Sequence, residues 1–202
     1  MSTGKKEVLR MTKVKRIGII AEDKSDYEAF KTIIKRIVNK NEIGFKPRTS
    51  EGCGKLKRKA ADYALDLHNR GCDLLLLFHD LDRNNLISLE KELQEKLSNN
   101  PIKNYFICIP IEEIEAWFLS DPENIKNTLH LNRTPNIKAM PETIASPKEY
   151  LGGLVKQYSD KNKIYLNTKH NNLLSENVSI DLMKEKCQSF AKLYQFILMQ
   201  CY

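Results

Sequence analysis

Residues 14–20 (Val-Lys-Arg-Ile-Gly-Ile-Ile) alternate and then run apolar, which predicts a strand that becomes buried toward its end. A short polar stretch follows, in which Ser25 and Glu28 are spaced as a capping box. Phe30, Ile33, Ile34, Ile37 and Val38 then recur at helical spacing. Residues 44–48 read as a second strand and residues 50–54 as a glycine-containing loop. Over residues 56–70 a helix places Ala60, Tyr63, Ala64 and Leu67 on one face and stops at Gly71. Residues 73–78 are the clearest strand in the chain. Leu86, Leu89, Leu93 and Leu97 mark the next helix, which Asn99-Asn100-Pro101 ends. Residues 105–109 form a fourth strand, and residues 111–119 a short helix closed by Asp121-Pro122.

This alternation predicts an α/β fold: a mainly parallel sheet flanked by helices on both faces. After residue 120 the pattern weakens, and Pro122, Pro135, Pro141 and Pro147 interrupt it. Two helices are expected there, over residues 148–158 and 180–200. The expected organisation is a disordered tail over 1–12, a sheet domain over 13–120, and a C-terminal helical appendage over 121–202 packed on it.

Composition narrows the class. With 202 residues, 41% hydrophobic and 29% charged, the chain is long enough to bury a core without staples. The longest apolar run, Leu74–Phe78, falls far short of the roughly 20 residues a membrane helix needs. No apolar block follows the Lys-rich N-terminus, so no secretory signal is expected. The five cysteines are odd in number and form no CxxC, which argues against a disulfide framework or structural zinc and for a cytoplasmic protein. The net charge of +7 is uneven: residues 1–70 hold 18 Lys/Arg against 9 Asp/Glu, and the remainder 15 against 17. Clusters at Lys5-Lys6, Lys13 to Arg16 and Lys55 to Lys59 are candidate phosphate-binding surfaces, or simply solvated lysines.

Candidate chemistry gathers where strands end, because ligands of open parallel sheets bind outside the carboxyl ends of the strands. Glu22, Asp23 and Asp26 follow the first strand, Asp80 and Asp82 the third, and Glu112, Glu113 and Glu115 the fourth. Clustered carboxylates repel unless a cation neutralises them, and a hard divalent ion such as Mg²⁺ is the natural partner. Glu22 and Asp26 are spaced for one helical face, and an extended Asp80-Leu81-Asp82 would aim both acids the same way. Glu112 and Glu115 would share a face of the short helix whose core side carries Ile111, Ile114 and Phe118. Trp117, the single tryptophan, is expected to anchor the core. Gly52, Gly54 and Lys55 sit before a helix N-terminus, an arrangement suited to a phosphate. Thr49 and Leu56 exclude a P-loop. His68 and His130 read as surface residues and His79 as a structural neighbour of Asp80; Lys163 or Lys169, near His170, is placed to approach a phosphate. No Ser/His/Asp order or GxSxG motif appears.

These residues resemble a Toprim (topoisomerase–primase) domain, with Glu22 and Asp80-x-Asp82 at the positions of that family's Mg²⁺-binding acids. The chain is more closely similar to the Toprim-like domain-of-unknown-function family 4276. The match runs through Ile19-Ile20-Ala21-Glu22 to Asp26, residues 52–56, Asp80-x-Asp82, residues 109–121 with their Glu-Ile-Glu-Ala-Trp core, and Cys187-Gln188-Ser189-Phe190. One departure is Ala21-Glu22-Asp23, where family members commonly carry Val-Glu-Gly. The resemblance implies a Mg²⁺- or Mn²⁺-dependent nuclease similar to the overcoming-lysogenisation-defect proteins, paired with an ABC/AAA-type ATPase in anti-phage defence. On that basis Glu22, Asp26, Asp80, Asp82, Glu112 and Glu115 are the expected metal ligands. Lys55 is expected beside the scissile phosphate, and Gly52, Gly54, Lys57 and Arg58 along the nucleic-acid backbone. Rival expectations are a non-catalytic subunit with a structural acidic pocket and a nucleotide phosphohydrolase. No membrane partner is expected, and a homo-oligomer is left open.

Overall fold

A computed structural model describes residues 14–40, 42–50, 52–160 and 163–202. The expected tail over 1–12, Lys5, Lys6 and Lys13 lie outside the described residues. Four strands, β1 (Arg16–Ala21), β2 (Gly44–Thr49), β3 (Leu74–Phe78) and β4 (Asn104–Cys108), form one fully parallel sheet in the order β2-β1-β3-β4. The Leu-Leu-Leu-Leu-Phe run of β3 is buried throughout because helices cover both sheet faces. Pro47 is tolerated within β2 because that strand lies at the sheet edge.

On one face, Ile17, Ile19, Leu74, Leu76 and Phe78 pack with α1 (Lys24–Val38), α4 (Glu115–Phe118) and α9 (Gln188–Cys201). Phe30 stacks on Phe78 at 3.8 Å, and Trp117 meets Phe30 and Phe190 edge-on at 5.8 and 5.2 Å. Trp117 is fully buried, and its Nε1–H donates to Ser189 Oγ at 2.8 Å, so it is the core anchor its surroundings predicted. On the other face, Ile20, Leu75 and Leu77 pack against α2 (Cys53–Asn69) and α3 (Leu86–Lys96). There Gly18 admits the close approach of α2: a Cβ would lie 3.0 Å from Leu67 Cδ1.

The C-terminal half is more helical than its pattern suggested. Between α4 and α9 lie α5 (Pro122–Leu129), α6 (Pro147–Tyr158), α7 (Asn167–Asn177) and α8 (Ile180–Lys186). Asp121-Pro122 opens α5 instead of only closing α4: Asp121 Oδ1 accepts from Asn124 N at 3.0 Å, with proline at the first helical position. The expected helix over 180–200 is two helices, broken where Cys187 is extended. Glu142 caps α9 from a distance, accepting from Gln188 N at 2.7 Å and Ser189 N at 3.1 Å. The α1 capping box is also displaced. Asp23, not Ser25, is the cap, and Glu28 instead pairs with Lys31 at 2.8 Å. Finally, α7 is tied to α1: Thr32 Oγ1 donates to Asn172 Oδ1 at 3.0 Å, and Arg36 donates to Ser175 O and Val178 O at 2.8 and 2.6 Å.

The chain leaves β1 toward β2 on one side and returns to β3 on the other. The carboxyl ends of β1 and β3 therefore flank the topological switch point, where the connections diverge and leave a crevice. No helix among the described residues is long and apolar enough to cross a membrane.

Candidate metal centre

Glu22 is the first residue past β1 and Asp80 the second past β3, so both stand at the switch point. The Asp23 carboxylate accepts from Asp26 N at 2.9 Å and Ser25 Oγ at 2.6 Å, which starts α1 at once and folds Asp26 back beside Glu22. Ser50 N donates to Glu22 O at 3.0 Å, fixing the β2 exit against the β1 exit. Gly52, at φ 110°, turns the chain into α2, and the Cys53 amide donates to the Glu22 carboxylate. One oxygen each of Glu22 and Asp82 and the Cys53 thiol lie within 4.8 Å of one another.

The β3 and β4 exits are zipped together. His79 N donates to Cys108 O at 3.2 Å, Leu81 N to Pro110 O at 3.1 Å, and Asp82 N to Glu112 O at 3.3 Å. Asp82, Arg83 and Glu112 all sit at positive φ (47°, 61° and 60°), a costly conformation for residues with a Cβ. Asp82 thus enters a turn that Asn84 N closes on Leu81 O at 2.9 Å, so Asp80-Leu81-Asp82 is not the fully extended run expected. Asp82 is exposed beside Glu22, while Asp80 faces inward among Asp26 and Glu115 charges. His79 is buried, with Nδ1 2.7 Å from Asp80 O. A carbonyl only accepts, so Nδ1 carries the proton. Its Nε2 has no partner among the described residues.

Glu115 opens α4 and is buried. Asn171 Nδ2 donates to it at 3.2 Å, and the single Tyr165 hydroxyl proton is shared between Glu115 Oε1, at 3.1 Å, and Asn171 Oδ1. Glu112 does not share a helical face with it. Residues 111–114 are irregular, and the Glu112 carboxylate accepts from Arg83 N at 2.9 Å. That carboxylate serves as a clamp between the two exits. Glu113 accepts from Lys148 N at 3.0 Å, at the start of α6.

The electrostatics are one-sided. Burial, then the Asp23, Glu115 and Glu22 charges, lifts the Asp26 carboxyl to about 7. Burial, then Asp26, Glu115, Asp82 and Glu113, pushes Asp80 well above the usual range. Burial also raises Glu22, Glu113 and Glu115. Against these, His79 opposes the rise at Glu22 and Lys148 that at Glu113 and Glu115, whereas burial and neighbouring acids dominate at Asp26 and Asp80. Carboxylates whose mutual repulsion outweighs the nearby basic charge fit a hard divalent cation. Cys53 adds one sulfur, a softer donor than Mg²⁺ prefers.

The basic candidates are more dispersed. Lys55 and Arg58 are exposed on the first turns of α2, and Lys57 pairs with Glu92 at 3.1 Å. Gly54 lies within α2, where an added Cβ would meet nothing within 4 Å, so only Gly52 is needed for its backbone. Cys53, Lys148, Tyr165 and Asn171 join the surroundings of the acids without a sequence signal. Tyr165 and Asn171 stand 50 and 56 positions from Glu115 in a stretch without apolar periodicity.

A parallel α/β fold whose acids converge at its switch point is the class that sheet and site define. The family model described as a domain of unknown function, DUF4276, matches residues 21–198, and the chain belongs to that family. No curated protein and no solved structure gives a significant match.

Proposed function

We propose that the protein is a Toprim-type, Mg²⁺- or Mn²⁺-dependent nuclease that hydrolyses phosphodiesters of DNA or RNA. The observation that carries this reading is that Glu22, Asp26, Asp80, Asp82 and Glu115, from three strand exits, lie near enough for their charges to raise one another, with Glu22, Asp82 and Cys53 bringing ligand atoms within 4.8 Å. These five side chains would hold the ion. When bound, such an ion supplies a nucleophilic water at neutral pH and stabilises charge at the phosphate.

The chain's own residues prepare that site. Asp23 fixes the first turn of α1 and with it Asp26. Tyr165 and Asn171 hold the Glu115 carboxylate from the helical half, so its orientation is set before anything binds. Glu112 locks the turn that presents Asp82 through the Arg83 amide. His79 ties its ring to the Asp80 backbone. Lys55 and Arg58, exposed where α2 begins beside Glu22, supply positive charge for a nucleic-acid backbone without reading sequence. The family resemblance extends the proposal to an ABC/AAA-type ATPase as partner in anti-phage defence.

The test is incubation of plasmid and single-stranded substrates with and without Mn²⁺. Metal-dependent cleavage is expected from the wild type and at least a hundredfold less from an Asp80→Ala, Asp82→Ala double variant. Equal cleavage by both proteins overturns the proposal. Turnover of free nucleotides without cleavage of polymers redirects it to a nucleotide phosphohydrolase.

A further inference from the structure

A second concavity, with none of the acids in its lining, lies on the helical half. It is a cavity of about 450 Å³ between the end of α5, the segment leading into α7, and the first turns of α7. Small-molecule sites are on the order of 300–1,000 Å³, so the space suits a ligand of mononucleotide size. Its basic lining residues are His130, Lys163, Lys169 and His170, and no carboxylate is among the described residues that line it. Lys163 and Lys169 bring positive charge to one opening, which favours an anion, while burial and the Lys169 charge push the His170 imidazole toward its neutral form.

Two of them are placed by the fold. Lys163 Nζ donates to His130 O at 3.0 Å, which holds the ammonium against the C-terminal end of α5. His170 Nδ1 accepts from Leu166 N at 2.9 Å, and its ring stacks on Tyr165 at 5.6 Å. Lys169 is exposed on the first turn of α7, where the helix dipole adds to its charge. The rest of the wall is apolar, with Val155, Leu166 and Leu173. Two lysines beside aliphatic surface, of which Ile164, Leu166 and Leu173 are exposed, match a phosphate attached to a flat, poorly hydrated body.

We propose that this cavity binds a nucleoside phosphate. The site is distinct from the acidic centre, and the proposal stands whether or not the protein is a nuclease. Through the stacked His170, its occupant would adjoin Tyr165, which holds Glu115, so binding is positioned to bear on the acidic centre.

The experiment is calorimetric titration of the full chain with AMP, ATP and inorganic phosphate, in the presence of EDTA so that no divalent ion draws phosphate to the acids. Saturable one-to-one binding of AMP or ATP is expected, at least tenfold tighter than inorganic phosphate. Lys169→Glu, at a side chain that makes no hydrogen bond or ion pair among the described residues, should weaken it at least tenfold. A Lys163→Glu, Lys169→Glu double variant, checked for native circular dichroism, should abolish it. Absence of saturable binding, or binding unchanged by Lys169→Glu, overturns the proposal. Phosphate binding as tightly as AMP reduces the cavity to an anion site and overturns the nucleoside assignment.

Discussion

Two groups of acids in this protein receive opposite treatment. On α2, Asp66 lies between Arg48 at 2.6 Å and Arg70 at 3.5 Å, and the Arg48 hydrogen bond holds its carboxyl below the ordinary range. At the strand ends, Asp26 and Asp80 are surrounded by other acids and pushed upward. The chain has ample lysine and arginine, and it places them beside an acid whose job is structural. At the switch point the acids press on one another instead, a repulsion that a proton or an external cation relieves. Stability sacrificed at one place in an otherwise well-satisfied fold is a signature of a working site.

The largest test of that contrast is the stability of the metal-free protein. An Asp26 carboxyl at about 7 folded and near 3.8 unfolded means that the folded state holds the proton more tightly. The penalty is complete above pH 7 and fades as pH falls toward 4, so metal-free stability should rise over that interval. Its upper bound is ~4 kcal/mol. Asp26→Asn should therefore stabilise the EDTA-treated protein at pH 8 by up to that amount and flatten the pH dependence. Urea unfolding at pH 8 and pH 5 measures both, and a destabilised Asp26→Asn protein would break the contrast.

A smaller effect is expected where the centre is satisfied by hydrogen bonds. Tyr165→Phe removes one of the two side-chain donors to the buried Glu115 carboxylate and should cost about 1–2 kcal/mol. Denaturant midpoints of the two proteins compare this directly. The smallest effect belongs to the paired acid: Asp66→Ala should cost less than about 1 kcal/mol, and the loss should shrink further in 1 M salt, because the pair is solvent-screened.

How much of this was legible in the sequence follows from the range of the interactions. The sheet was legible because each strand and helix announces itself locally: Ile33, Ile34 and Ile37 on α1 and the Leu74–Phe78 run carry their own period. The acids at the β1 and β3 exits were legible because parallel topology sends strand ends to one edge. The strained turn at Asp82 was not, since it depends on the Glu112 carboxylate 29 positions from Arg83. Neither was α7, whose neighbouring Leu173 and Leu174 do not mark a helical stripe. It is held instead by Arg36 and Thr32 of α1. Tyr165 and Asn171 went unseen for the same reason, and they are the residues through which the helical half reaches the acids.

The central claim is that acids from separate strand exits jointly hold one divalent ion or a close pair. Crystals soaked in Mn²⁺ and measured at its absorption edge test it directly. The account predicts an anomalous peak at the switch point, within coordination distance of carboxylates from both the β1 and the β3 exits. Crystals that soak fully yet show no peak there, with Glu22, Asp80 and Asp82 unmoved, would contradict it.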